Sequence, residues 1–164
     1  MKTAKITSKL FSISCKSSNE ILERLLLHIS KTGHQPCTVS QSLTDVKGVI
    51  MITIELEIEG HYVDNFIEEI LTIDGILDAT VSFGSVLQVA TYQMKFDSNS
   101  LEILDVIKSH NTQVINIEAD RLLILHIASE KDIRLLYNKL DNASLLGFCQ
   151  MPLAVGQPST LREQ

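Results

Sequence analysis

Residues Ile52-Thr53-Ile54-Glu55-Leu56-Glu57-Ile58 alternate apolar and polar without a break. A period of two predicts a strand with one face buried and the other wet, as in an antiparallel sheet covered on one side. Upstream, Thr44-Asp45-Val46-Lys47-Gly48 reads as a turn and Cys37–Leu43 as its partner strand. Asn19–Thr32 carries Ile21, Leu22, Leu25, Leu26 and Ile29 on one helical face. Ser17 and Glu20 fit an S-x-x-E capping box, and Gly33 stands where a helix stops in the left-handed conformation. Leu10–Cys15 precedes that helix as a short strand. Beyond Gly60, His61–Ile73 places Val63, Phe66, Ile67, Ile70 and Leu71 at helical spacing. Asp74-Gly75 turns the chain into a strand at Ile76–Phe83.

The order strand–helix–strand–strand–helix–strand is the split βαβ arrangement of a ferredoxin-like domain. The second half repeats it. Val86–Phe96 is a strand, and Ser98-Asn99-Ser100-Leu101 opens a helix to about Ser109. His110-Asn111-Thr112 turns, and Gln113–Glu118 and Leu122–Ala128 form a strand pair around Asp120. Glu130–Leu140 is a helix with Ile133, Leu136 and Leu140 on one face, and Leu145–Met151 is the last strand. A repeat of roughly 75 residues follows. The predicted fold is α+β, two tandem ferredoxin-like βαββαβ domains with antiparallel sheets, over residues 8–84 and 85–152. Residues 153–164 are expected to be a flexible tail.

Composition narrows the function. Hydrophobic residues make up 45% of 164, which is a folding composition rather than a disordered one. The net charge of −6 and pI of about 5.3 argue against a nucleic-acid partner, and the absence of Trp removes the best stacking platform. No apolar run reaches the ~20 residues of a membrane span, so no membrane is expected. Met1–Lys9 is basic but lacks the apolar stretch of a secretory signal. Cys15, Cys37 and Cys149 are odd in number and far apart, as for free thiols in a reducing, cytoplasmic compartment.

Catalytic chemistry is not legible. There is no phosphate-cradling G-x-x-x-x-G-K-[ST] or G-x-G-x-x-G, no H-E-x-x-H and no C-x-x-C. His28, His34, His61, His110 and His126 are scattered and read as packed or surface histidines, since a metal needs three or four converging ligands. Glu68-Glu69 is an adjacent pair that does not share a helix face. Cys15 precedes a helix N-terminus, where a thiolate is favoured, but no nearby His or Asp supports it and packing is the plainer reading. An acylphosphatase-like anion loop would not carry the Glu20 found here.

Glu20-Ile21-Leu22-Glu23-Arg24-Leu25-Leu26, followed by Gly33-His34 and Cys37, resembles the first ACT domain of the acetolactate synthase (acetohydroxyacid synthase) small subunit. It is most similar to the short small subunit of the valine-insensitive isozyme. Ile52–Ile58 matches that family's M-x-I-x-[LV] strand, and Val63–Val81 its helix and L-x-D-V-x-x-V strand. Ser109–Ile117 and Ala128–Gly156 line up with the C-terminal domain of the long regulatory subunits, although Cys149–Gly156 departs from its final strand. The resemblance covers residues 8–156.

It implies ACT-type domains and no active site in this chain. It also implies binding to, and activation of, an acetolactate synthase catalytic subunit in branched-chain amino acid biosynthesis. The cofactors (thiamine diphosphate, Mg and FAD) would belong to that partner, with none in this chain. First domains pair as homodimers in this family, and a valine effector sits at that interface against the first strand–helix loop. The effector-binding set carried over is Ser17, Ser18, Asn19, Glu20 and Gln35. Valine-sensitive members have N-x-x-G in the loop and Asn after the glycine-aromatic pair; Ser17, Glu20 and Gln35 stand there instead. Glycine lets a ligand approach the backbone. Glu20 crowds that approach and sets a negative charge near the ligand carboxylate, at a helix end that otherwise attracts anions. Weak or absent valine feedback is the expectation. The alternative is a free-standing ACT-type amino-acid sensor without a synthase partner, since Ser17 and Gln35 retain hydrogen-bonding groups.

Overall fold

The computed structural model describes residues 6–82, 86–97 and 100–153. It divides into two compact units. In the N-terminal unit, β1 (Ile6–Lys16), β2 (Pro36–Leu43), β3 (Val49–Glu59) and β4 (Ile76–Ser82) form one antiparallel sheet in the order β2-β3-β1-β4. Helices α1 (Asn19–Lys31) and α2 (Val63–Leu71) link its strands, α2 entered through a 3-10 turn at Gly60–Tyr62. The C-terminal unit repeats the plan with β5 (Leu87–Lys95), α3 (Leu101–Ser109), β6 (Gln113–Glu118), β7 (Arg121–Ser129), α4 (Glu130–Leu140) and β8 (Leu145–Pro152), in sheet order β6-β7-β5-β8. Each unit is a ferredoxin-like βαββαβ fold of the ACT type.

Hydrophobic periodicity explains both cores. Ile50, Ile52, Ile54, Leu56 and Ile58 of β3 point to one side, with Phe11, Ile13 and Cys15 of β1. Ile21, Leu25 and Ile29 of α1 and Val63, Phe66 and Ile70 of α2 close over them. In the second unit Ala90, Tyr92 and Met94 of β5 and Leu122 and Ile124 of β7 meet Ile107 of α3 and Ile133, Leu136 and Leu140 of α4.

Four local expectations change. The cap of α1 is Ser18, whose Oγ accepts from the Glu20 amide at 3.3 Å, and not Ser17. Ser17 is held outside the helix because its N–H donates to the Gly48 carbonyl at 2.8 Å. The outward face of β3 is not wet along its length, for Met51 and Thr53 are 7% and 2% exposed. As β3 lies between β1 and β2, Thr53 is flanked by Ser12 and Ser40, and Met51 by Ser14 and Ser42. Leu71, placed on the inner face of α2 by spacing, ends that helix 44% exposed. Strand β1 also extends back to Ile6, which the polar residues before Leu10 concealed. The positions read as Phe83, Ser98, Asn99 and the tail beyond Leu153 fall outside the described residues.

Tyr92 is fully buried and its hydroxyl donates to the Ile133 carbonyl at 3.1 Å, tying β5 to α4. Burial pushes its phenol up to about 12. The unfolded chain loses that proton near pH 10, so the folded state binds more protons between about pH 10 and 12 and stability falls as pH rises through that window. Alkaline titration of tyrosinate absorbance is expected to show one of the three phenols ionising last, together with loss of the C-terminal unit's amide dispersion. Tyr92→Phe removes that phase. Three phenols ionising together near pH 10 in a folded chain would contradict the burial account.

Candidate functional site

The loop Ser17–Glu20 joins β1 to α1 and is wholly exposed. Two turns distant in sequence anchor it. The Lys16 amide donates to the Gly75 carbonyl at 2.9 Å, and the Ser17 amide to Gly48 at 2.8 Å. Both glycines are left-handed, with φ of +93° and +79°, a conformation that glycine adopts without steric cost. The loop's backbone is therefore fixed before α1 begins. Glu20 lies in the first turn and its carboxylate meets the Arg24 guanidinium at 2.8 Å. That exposed i,i+4 pair offsets part of the charge Glu20 brings to the helix N-terminus.

Gln35 does not join this loop. It lies beyond the C-terminal end of α1, and the 13 residues of that helix span about 20 Å. Within one chain the five positions form two groups, Ser17–Glu20 at one end of α1 and Gln35 at the other.

Around Gln35 there are two adjoining clefts. One, of about 380 Å³, is lined by Ile6, Gly33, His34, Gln35, Glu57, Ile58, Glu59 and Tyr62. The other, of about 350 Å³, is lined by Thr32, His34, Tyr62, Asn65, Phe66 and Glu69. His34 sets its ring edge-on to Phe66 at 5.9 Å. His28 Nε2 lies 3.1 Å from Glu69, joining α1 to α2, and His61 Nδ1 lies 3.4 Å from Glu59. Carboxylates and imidazoles line this end, with no Lys or Arg among the lining residues. Sequence reasoning missed the clefts because no local spacing links residues 32–35 to 57–69. The one signal present was Gly33, whose φ of +80° turns the chain back toward the 3-10 turn.

Cys15 and Cys37 are both held toward the thiol form. Cys15 is buried in the core and burial pushes its thiol up, away from the thiolate form. Cys37 is exposed, and its thiol is pushed up by burial and by Glu55 and Glu57. Among the described residues no three His, Cys, Asp or Glu side chains are grouped to hold a metal. No helix among them is long and apolar enough to cross a membrane.

The fold therefore defines a tandem of ACT-type units with a glycine-anchored strand–helix loop in the first. No family model matches the sequence. No curated protein matches it either. Among solved structures, the acetolactate synthase small subunit from Thermotoga maritima is similar at a TM-score of 0.77 and 10% identity, over 92% of this chain and 100% of that one. The ligand-free regulatory subunit of aspartate kinase from Thermus thermophilus gives a TM-score of 0.45 at 9% identity, over 84% and 95%. At 10% identity the likeness to the Thermotoga maritima subunit establishes the fold.

Proposed function

We propose that this chain is a non-catalytic regulatory small subunit. On this reading it binds and activates the thiamine-diphosphate-dependent acetolactate synthase catalytic subunit of branched-chain amino acid biosynthesis. The observation that carries the reading is the full-length likeness to the Thermotoga maritima small subunit, which spans both units rather than one ACT domain. The motif resemblance in α1 and β3 supports it from the sequence side. The thiamine diphosphate, Mg and FAD belong to the cytoplasmic partner in this proposal.

A homodimer through the N-terminal unit accounts for the split candidate set. A two-fold axis that runs α1 of one chain against α1 of the next brings Gln35 of one copy to Ser17, Ser18, Asn19 and Glu20 of the other. An effector site of that kind is complete only between two chains. Glu20 keeps valine affinity low: Arg24 shares its charge, and the side chain's bulk remains where a glycine would leave the backbone open.

The test is acetolactate formation by the source organism's catalytic subunit, titrated with this protein. The expected result is a rate that rises and saturates at a fixed ratio, and that valine leaves unchanged. Micromolar to sub-millimolar valine affinity by calorimetry would sink the Glu20 argument alone. No rate change at any ratio, with the protein folded, would favour a free-standing amino-acid sensor.

A further inference from the structure

Four of the five histidines divide by unit into two electrostatic settings. In the N-terminal unit His28 faces Glu69 at 3.1 Å and His61 faces Glu59 at 3.4 Å. An imidazole gains an ion pair there when it takes up a proton. Among the described residues, neither His110 nor His126 of the C-terminal unit lies within ion-pair distance of a carboxylate.

His126 occupies the inward row of β7, after Leu122 and Ile124, and is 4% exposed. Its register partner on β5 is Ala90, and Gln150 of β8 lies opposite Ala90 on the other side. Gln88, one step along the inward row of β5, is buried and accepts from the Gln150 side-chain amide, so the amide pair satisfies itself. His126 Nδ1 has no hydrogen-bond partner and no solvent contact. Two ionisable groups act on it from the helices, His110 at the end of α3 and Asp132 in the first turn of α4. Asp132 is already engaged, accepting from the Ser129 hydroxyl at 2.7 Å.

His110 is held in one tautomer. Its Nδ1 lies 2.8 Å from the Val106 carbonyl, which only accepts, so Nδ1 carries the proton. Its Nε2 lies 3.1 Å from Lys139 Nζ. An ammonium only donates, so Nε2 is the acceptor of that bond. Protonating His126 buries a charge whose Nδ1 has no hydrogen-bond partner, which is costly unless the structure opens.

We propose that His126 makes the C-terminal unit acid-releasable: proton uptake by its buried ring loosens α4 and β7 from each other, while the N-terminal unit keeps its packing. Acid adds a positive charge at His126, where among the described residues Asp132 is the carboxylate that acts on it. Burial and the His110 charge both hold His126 toward its neutral form, and Asp132 opposes them. The sign follows. The opened chain binds a proton near pH 6.5 that the closed unit refuses, so stability is lost as pH falls below that value. For one proton the opening equilibrium grows by up to about tenfold per pH unit.

The test is hydrogen exchange of the full-length chain at pH 7.5 and 5.5, corrected for intrinsic exchange and resolved by peptide. Residues 121–140 are expected to lose about tenfold protection, and residues 21–31 and 49–59 to lose none. This window lies above the range where ordinary carboxylates titrate, so general acid unfolding does not intrude. His126→Leu continues the apolar row of β7 and is expected to abolish the loss. Should that variant not fold, NMR titration of the wild-type imidazoles decides: the His126 ring is expected to shift only with opening of the unit. Equal loss in both units, no loss in residues 121–140, full acid sensitivity in His126→Leu, or an independent His126 titration in the closed unit would each overturn the proposal.

Discussion

Gly75→Ala is expected to destabilise the N-terminal unit by about 2–5 kcal/mol. Gly75 has a φ of +93°, and a side chain in the left-handed region costs roughly 1–2 kcal/mol. A Cβ there would also meet Ile21 Cδ1 at 2.5 Å and Cγ1 at 3.2 Å. Ile21 is 4% exposed, and its β-branched side chain has little rotamer freedom in a helix, so it does not swing away without cost. Overpacking of this kind adds typically 1–3 kcal/mol. The damage is local to the candidate site. Gly75 accepts the Lys16 amide that fixes the end of β1, and Ile21 opens α1 immediately after Glu20. Urea denaturation should show a lower midpoint with an unchanged slope, and amide chemical shifts at 16–21 should move most. A midpoint within experimental error of wild type would show that the Gly75 turn does not press on α1.

Leu25→Ala is expected to cost about 2–5 kcal/mol, the range for truncating a fully buried leucine. Leu25 sits mid-helix between Ile21 and Ile29, has no exposed surface, and seals the α1 face onto β1 and β3. Alanine's better helix propensity returns only a few tenths of that. Such a loss is a large share of the 5–15 kcal/mol that holds an ordinary domain. Leu27→Ala is the control. Leu27 is 55% exposed on the opposite side of the same helix and is expected to change stability by less than about 0.5 kcal/mol. Equal effects from the two substitutions would mean the buried face of α1 is misassigned. Because α1 carries the Ser17–Glu20 loop at one end and the Gln35 clefts at the other, Leu25→Ala should also weaken any effector binding.

Much of this architecture was legible before any coordinates. The alternation of Ile52–Ile58 and the helical spacing of Ile21, Leu25 and Ile29 are properties of neighbouring residues, and they placed β3 and α1 within a few positions of their observed ends. The same local signals revealed the tandem repeat, whose two sheets have matching strand orders. The candidate site was legible only in part. Ser17–Glu20 could be named from a motif, but its separation from Gln35 depends on α1 being one unbroken helix. The choice of Ser18 over Ser17 as cap was decided by the amide bond from Ser17 to Gly48, across 31 positions of chain.

Element order, the two-unit plan and the apolar faces were thus determined by the sequence alone, because secondary structure answers to periods of 2 and 3.6 residues that lie within a short window. Tertiary structure alone decided which glycines grip the loop, which outward residues of β3 are buried, and what surrounds His126. Those depend on strand order β2-β3-β1-β4 and β6-β7-β5-β8, which brings residues far apart in the chain within a few ångströms. A polar side chain's behaviour is set by the charges and hydrogen-bond partners that such long-range pairing supplies.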